Sequence, residues 1–152
     1  MDKIKYKPKK IDTLVFDSIS FTHTDVFTVV DKFYSKIQHD KVLSIPFASV
    51  GDWPYHIERL TNFWWIAFGG KSYMFSQYSP IPKHFYAGFN QDFLDRWLEL
   101  FIETLKENLS EKQQVVWGAM AHRLGRQLII RNEMFKQAKL QSASTSQQSD
   151  GQ

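Results

Sequence analysis

The chain contains no cysteine among its 152 residues, which excludes disulfides and thiolate-held metals. It has no apolar run long enough to span a bilayer. The opening residues Met1-Asp2-Lys3-Ile4-Lys5 carry an acidic group and no apolar segment behind it, so they do not read as a secretory signal. A cytoplasmic protein is the simplest expectation. Walker, GxGxxG and GxSxG motifs are missing, leaving nucleotide binding and triad hydrolysis without support. There is no HExxH, and none of the five histidines (His23, His39, His56, His84, His122) pairs with another at the i, i+4 spacing of a zinc helix. Gly69-Gly70-Lys71 is too short to cradle a phosphate and reads as a helix stop. Strand signals are weak: Thr13 to Phe16 has an extended pattern, but nothing nearby offers it a partner.

What is present is an aromatic surplus. Phe, Trp and Tyr reach 16%, with thirteen Phe and five Trp, inside a hydrophobic fraction of 43%. This supports one compact domain with a single core. Large flat side chains line pockets for large flat ligands, and they also build ordinary cores. The net charge is +3, much of it from Lys3, Lys5, Lys7, Lys9 and Lys10. Such a cluster is compatible with an anionic partner, but a solvated terminus is the preferred expectation, and no nucleic-acid role is assigned. The expected organisation is a basic, partly disordered extension over 1–20, a folded domain over 21–140 and a disordered polar tail over 141–152.

The periodicity is helical nearly throughout. Val26, Val29, Val30, Phe33 and Ile37 fall at helical spacing from Thr24 to Asp40, with Thr22 or Thr24 as cap. Leu43 to Val50 is irregular around Pro46. Asp52 caps a second helix, Pro54 fits its first turn, and Gly69-Gly70 ends it. Lys71 to Gly88 is mostly loop because Pro80 and Pro82 prevent a long helix. Asn90 caps an amphipathic helix carrying Phe93, Leu94, Trp97, Leu98, Phe101 and Leu105. Ser110-Glu111-Lys112-Gln113 is a capping box for a last helix reaching about Ala138.

His56 enters a helix after Trp53-Pro54-Tyr55, and His84 sits in the proline-bounded Pro80-Ile81-Pro82-Lys83-His84. A helix, its Gly-Gly stop and a loop separate them, which lets the two imidazoles approach one cavity from opposite sides. Taken alone, either is as readily an ordinary surface or core histidine.

With these residues in place, the stretch from Val29 to Met134 resembles the truncated haemoglobins, specifically their group III branch. The resemblance rests on Phe33-Tyr34-Ser35-Lys36-Ile37, Trp53-Pro54-Tyr55-His56 with Asn62-Phe63-Trp64, Lys83-His84, and Phe93 through Phe101, in that order and nearly that spacing. It implies an all-α, two-over-two helical sandwich around haem b, with His84 as the proximal iron ligand. It maps Tyr34, His56 and Trp97 to the opposite side, where a phenol O–H, an imidazole and an indole N–H would steady a diatomic ligand or take part in redox chemistry. Phe47, Leu60, Phe63, Trp64, Phe93 and Phe101 are the expected wall around the porphyrin, and Arg59, Lys83, Tyr73 and Tyr78 are candidate propionate partners.

The implied function is reversible binding of O2 or NO, extending to NO or peroxide detoxification. NO dioxygenation would need a separate reductase, since the chain has no flavin or nicotinamide domain, and the sequence does not rank oxygen storage or transport, detoxification and sensing. Two other readings stay open: a haem-free globin-like sensor or interaction domain whose cavity is filled by Phe63 and Trp64, and a structural helical bundle docking through its lysines. The first twenty or so residues, the last dozen, the Trp64-Trp65 doublet and the Tyr73-Met74-Phe75 loop depart from the family pattern.

Overall fold

The structure is a computed structural model that describes residues 3–75 and 90–149, with side chains through residue 143. Four α-helices dominate it: α1 over His23–His39, α2 over Trp53–Ala67, α3 over Gln91–Asn108 and α4 over Glu111–Ser149. Helix α1 packs on α2 and on α3, and α3 packs on α4. These pairings form the two-over-two sandwich, with the aromatic core between them.

Local chemistry starts each helix where the sequence placed it. Thr22 caps α1 through a reciprocal box: Asp25 N donates to Thr22 Oγ1 at 3.0 Å and Thr22 N donates to Asp25 Oδ2 at 2.9 Å. Asp52 accepts from Tyr55 N at 3.1 Å at the head of α2, and Asn90 accepts from Phe93 N at 3.0 Å at the head of α3. Ser110 and Gln113 exchange bonds of 3.3 and 3.1 Å at the start of α4. Helix α2 stops at Phe68, where Gly69 adopts φ +98°, a conformation that L side chains rarely take. Gly125 serves a different purpose. A Cβ there would lie 2.6 Å from Leu94 Cδ1, so its absence sets how closely α3 and α4 approach.

Two secondary-structure elements differ from the sequence expectation. Thr13–Phe16 (β1) does have a partner: it pairs antiparallel with Ile19–Thr22 (β2), Thr13 opposite Thr22 and Phe16 opposite Ile19. The turn is Asp17-Ser18, with both residues at positive φ (52° and 64°). That is the handedness a two-residue hairpin requires, here built without the usual glycine. The hairpin buries Phe21 in the core and is tied to α4 by Gln113 Nε2 donating to Ser20 O at 2.9 Å. The last helix also continues to Ser149, past the expected end near Ala138, because the intervening residues contain no glycine or proline to break it.

The lysine-rich N-terminal segment lies along the domain instead of standing free. Ile4 bridges Met74, Lys5 N donates to Tyr73 O at 2.7 Å and Phe75 N donates to Lys3 O at 3.2 Å. Lys7 forms an ion pair with Glu58 of α2, Tyr6 OH donates to Lys71 O, and Pro8 is buried. Part of the lysine excess therefore serves docking of the segment to its own domain.

Candidate functional site

The turns after α1 are fixed first. Asp40 accepts from Val42 N and Leu43 N at 3.1 and 3.0 Å, and its Oδ1 takes Arg96 Nε at 3.0 Å and Nη2 at 2.6 Å. The Arg96 bond, set against the opposing effect of burial, holds the Asp40 carboxyl below the usual carboxylate range. This joins the end of α1 to α3 and places Leu43 and Phe47 under the head of α2, where both are buried.

Tyr34, His56 and Trp97, the three residues expected at the ligand face, converge on the interior. They are 3%, 7% and 6% exposed. The Tyr34 ring stands edge-on to His56 at 5.6 Å, and Phe33 bridges to the third member, 4.9 Å from Tyr34 and 5.2 Å from Trp97. Trp97 lies parallel to Phe101, with centroids 4.9 Å apart and an interplanar angle of 3°. Phe101 stacks in turn on Trp64 at 5.7 Å and 25°. Rings from α1, α2 and α3 thus form one continuous aromatic body, each contact contributing about 0.5–1.5 kcal/mol beyond burial of its area.

The polar atoms in this body are few and oriented. Trp97 Nε1 is buried and has no hydrogen-bond partner among the described residues. An indole N–H can only donate, and leaving one unsatisfied in a protein interior costs roughly 1–3 kcal/mol. His56 Nδ1 lies 3.3 Å from Arg59 Nη2. A guanidinium has no acceptor, so Nδ1 carries the lone pair and the ring proton sits on Nε2, which is buried. His56 is therefore set as a donor on its inner edge. Arg59 is braced by the Tyr55 ring, its Cζ 5.3 Å from the centroid.

The expected wall residues divide. Leu60, Trp64 and Phe101 are fully inside, and Phe47 is buried against Tyr34 at 5.9 Å. Phe63 and Phe93 are half-buried at the edge of the core, with Phe63 edge-on to Trp64 at 5.4 Å. Tyr73 is corrected as a propionate candidate. It is fully buried, its OH is shared with His23 Nε2 at 3.1 Å, and burial pushes its phenol well above the usual range. Of the other rim candidates, Arg59 stands beside His56, while Lys83 and Tyr78 lie outside the described residues. His84 also lies outside them.

Sequence reasoning assigned no site role to Phe33, Trp53, Trp117 or His23. Trp53 is 6.0 Å from Tyr34 and 5.5 Å from His56. Trp117 of α4 fills the space between Phe68, Trp64 and Phe101. Only the unusual density of tryptophan hinted at these roles. His23 and His39 are engaged with Tyr73 OH and with Ser35 O. Among the described residues no group of three or more His, Cys, Asp or Glu side chains is placed to hold a metal, and no helix is long and apolar enough to cross a membrane.

The sequence and the fold, taken as a whole, are matched by known proteins. The family model of the bacterial-like globins matches residues 14–127. The chain belongs to the bacterial-like globins. Its structure is similar to that of the group III truncated hemoglobin from Campylobacter jejuni, with 26% identity and a TM-score of 0.64, covering 80% of this chain and 94% of that one. It is also similar to the 2/2 hemoglobin from Synechococcus sp. PCC 7002, with 22% identity and a TM-score of 0.59, covering 71% of this chain and 91% of that one. No curated protein matches the chain. The truncated two-over-two globin fold is thereby shown, and the globin's N-terminal strap and hairpin stand before its four helices.

The described residues suit a porphyrin in their chemistry, while Trp64, Phe101 and Trp97 stack on one another here. The flat aromatic walls are apolar, and the orphaned Trp97 N–H, the buried His56 Nε2–H and the Tyr34 hydroxyl are donors suited to a small ligand with partial negative charge.

Proposed function

We propose that this globin holds haem b through His84 and reversibly binds a diatomic gas, O2 or NO, on the side of Tyr34, His56 and Trp97. The observation that carries the reading is the buried indole N–H of Trp97, which has no partner among the described residues. Trp117 Nε1 is likewise buried without a partner among the described residues, but Trp97 is the one joined through Phe33 to Tyr34, where an acceptor from outside the chain would meet several donors. The haem iron, when bound, supplies the open coordination position for the gas. The chain's own residues then divide the work: Trp97 and Tyr34 donate to the ligand's outer atom, and His56 presents Nε2–H while Arg59 fixes its tautomer.

The family resemblance points to His84 as the proximal ligand, and the engagement of His23 with Tyr73 and of His39 with Ser35 is compatible with it. The same donors would serve NO or peroxide detoxification, with electrons from a separate reductase. The lack of cysteine suits the cytoplasm. The test is a visible spectrum of the purified chain with added haem, reduced and exposed to CO. A ferrous-CO band that is lost or strongly altered in His84→Ala is the expected result. A wild-type chain showing no such band, or His84→Ala giving an unchanged one, refutes the reading.

A further inference from the structure

A cavity of about 190 Å³ lies between the end of α1 and the head of α2, partly open to solvent and lined by Gln38, Ser44, Phe47, Ala48, Val50 and Trp53. It is several times the roughly 30 Å³ that one water occupies in the liquid. Two of its lining residues also face inward. Phe47 and Trp53 lie 6.5 Å apart, tilted by 34°, and each contacts the Tyr34 ring, at 5.9 and 6.0 Å. Trp53 also contacts His56 at 5.5 Å. Neither Tyr34 nor His56 lines the cavity. One layer of two rings therefore separates an open surface chamber from the two donors.

The frame around this layer is anchored. Asp40 is clamped by Arg96, Gln38 Nε2 donates to Tyr34 O at 3.1 Å, and Val50 N donates to Phe47 O at 3.2 Å. Trp53 is only half-buried, so its ring has solvent on one side into which it can move.

We propose that this chamber is the outer vestibule through which small uncharged gases reach the Tyr34–His56 face, with the Phe47 and Trp53 rings as its inner door. The proposal rests on the gas-binding reading above. It assigns Ala48, Val50, Phe47 and Trp53 to ligand access and leaves His56 to donation.

The test uses the full chain loaded with haem, with CO association followed after flash photolysis. Ala48→Trp, a substitution at an exposed position that fills the chamber, is expected to slow association roughly threefold, and Phe47→Ala to speed it by a similar factor. Gly51→Ala, whose new methyl meets nothing within 4 Å, should leave the rate unchanged. Independently of ligand kinetics, dissolved xenon should shift the NMR signals of the Ala48 and Val50 methyls. A normal CO band together with a wild-type association rate in Ala48→Trp overturns the vestibule and leaves the haem reading standing, as does an absence of xenon shifts. A wild-type chain with no CO band overturns both. Phe47→Ala is the variant most exposed to misfolding, and Ala48→Trp decides the question without it.

Discussion

Replacing Trp97 by Phe separates packing from function because the two pull in opposite directions. In the ligand-free protein, the indole brings a buried N–H with no described partner, and removing it relieves about 1–3 kcal/mol. The smaller ring loses part of its stack on Phe101 and its edge contact with Phe33 and leaves a void, an opposing loss of roughly 1–3 kcal/mol. The net change in stability by urea denaturation should stay within about 1 kcal/mol, although the residue is 6% exposed in the middle of the core. With haem and O2 bound, the same substitution removes a donor bond worth roughly 1–1.5 kcal/mol, so O2 should dissociate about tenfold faster. CO carries little charge on its outer atom and should dissociate at nearly the wild-type rate. Stopped-flow ligand displacement reads both. A loss of more than 3 kcal/mol in apoprotein stability with an unchanged O2 dissociation rate would show that Trp97 is packing alone and would refute the reasoning.

Three further outcomes follow from the same structure. Burial, opposed by Glu58 and Asp12 and assisted by Lys7, holds the His23 pKa below 6.5, with Tyr73 OH on its Nε2; the unfolded chain therefore takes up the proton first, stability is full above pH 6.5 and falls as the pH drops below it, and His23→Gln should flatten urea midpoints measured from pH 7.5 to 5.5. Asp40→Asn weakens the charge-assisted bonds from Arg96 and should cost about 1–2 kcal/mol in chemical denaturation; since the folded-state pKa is depressed, the wild-type advantage persists well below neutral pH and disappears only as the pH falls through that lowered value. Gly125→Ala gains nearly 1 kcal/mol of helix propensity but forces Leu94 aside, so a net loss of about 1 kcal/mol is expected in thermal unfolding, and a rise in Tm would show that α3 and α4 are less closely packed than described.

What could be read in the sequence was what neighbouring residues decide among themselves. Thr22, Asp52, Asn90 and Ser110 cap their helices because a cap is a contest within four residues. The convergence of Tyr34, His56 and Trp97 came from a family resemblance, since no periodicity states that three helices bring those positions together. The partner of Thr13–Phe16 was hidden by the Asp17-Ser18 turn, whose left-handed backbone carries no glycine to announce it. The His23–Tyr73 bond and the pairing of Ile4 with Met74 join distant parts of the chain and leave no local trace. Tyr73 reads as a candidate propionate partner because an aromatic loop looks the same in sequence whether it faces solvent or, as here, lies under the N-terminal segment.

That segment has a consequence for how the molecule assembles. Its docking partners stand up to 72 residues further along the chain, as in the bond from Phe75 N to Lys3 O, so the segment completes its contacts only after α2 and the strand-like stretch at Met74 have left the ribosome. It should be the last part to settle and the first to peel away. A protease added under mildly denaturing conditions should therefore clip ahead of Thr13 while the four helices remain whole.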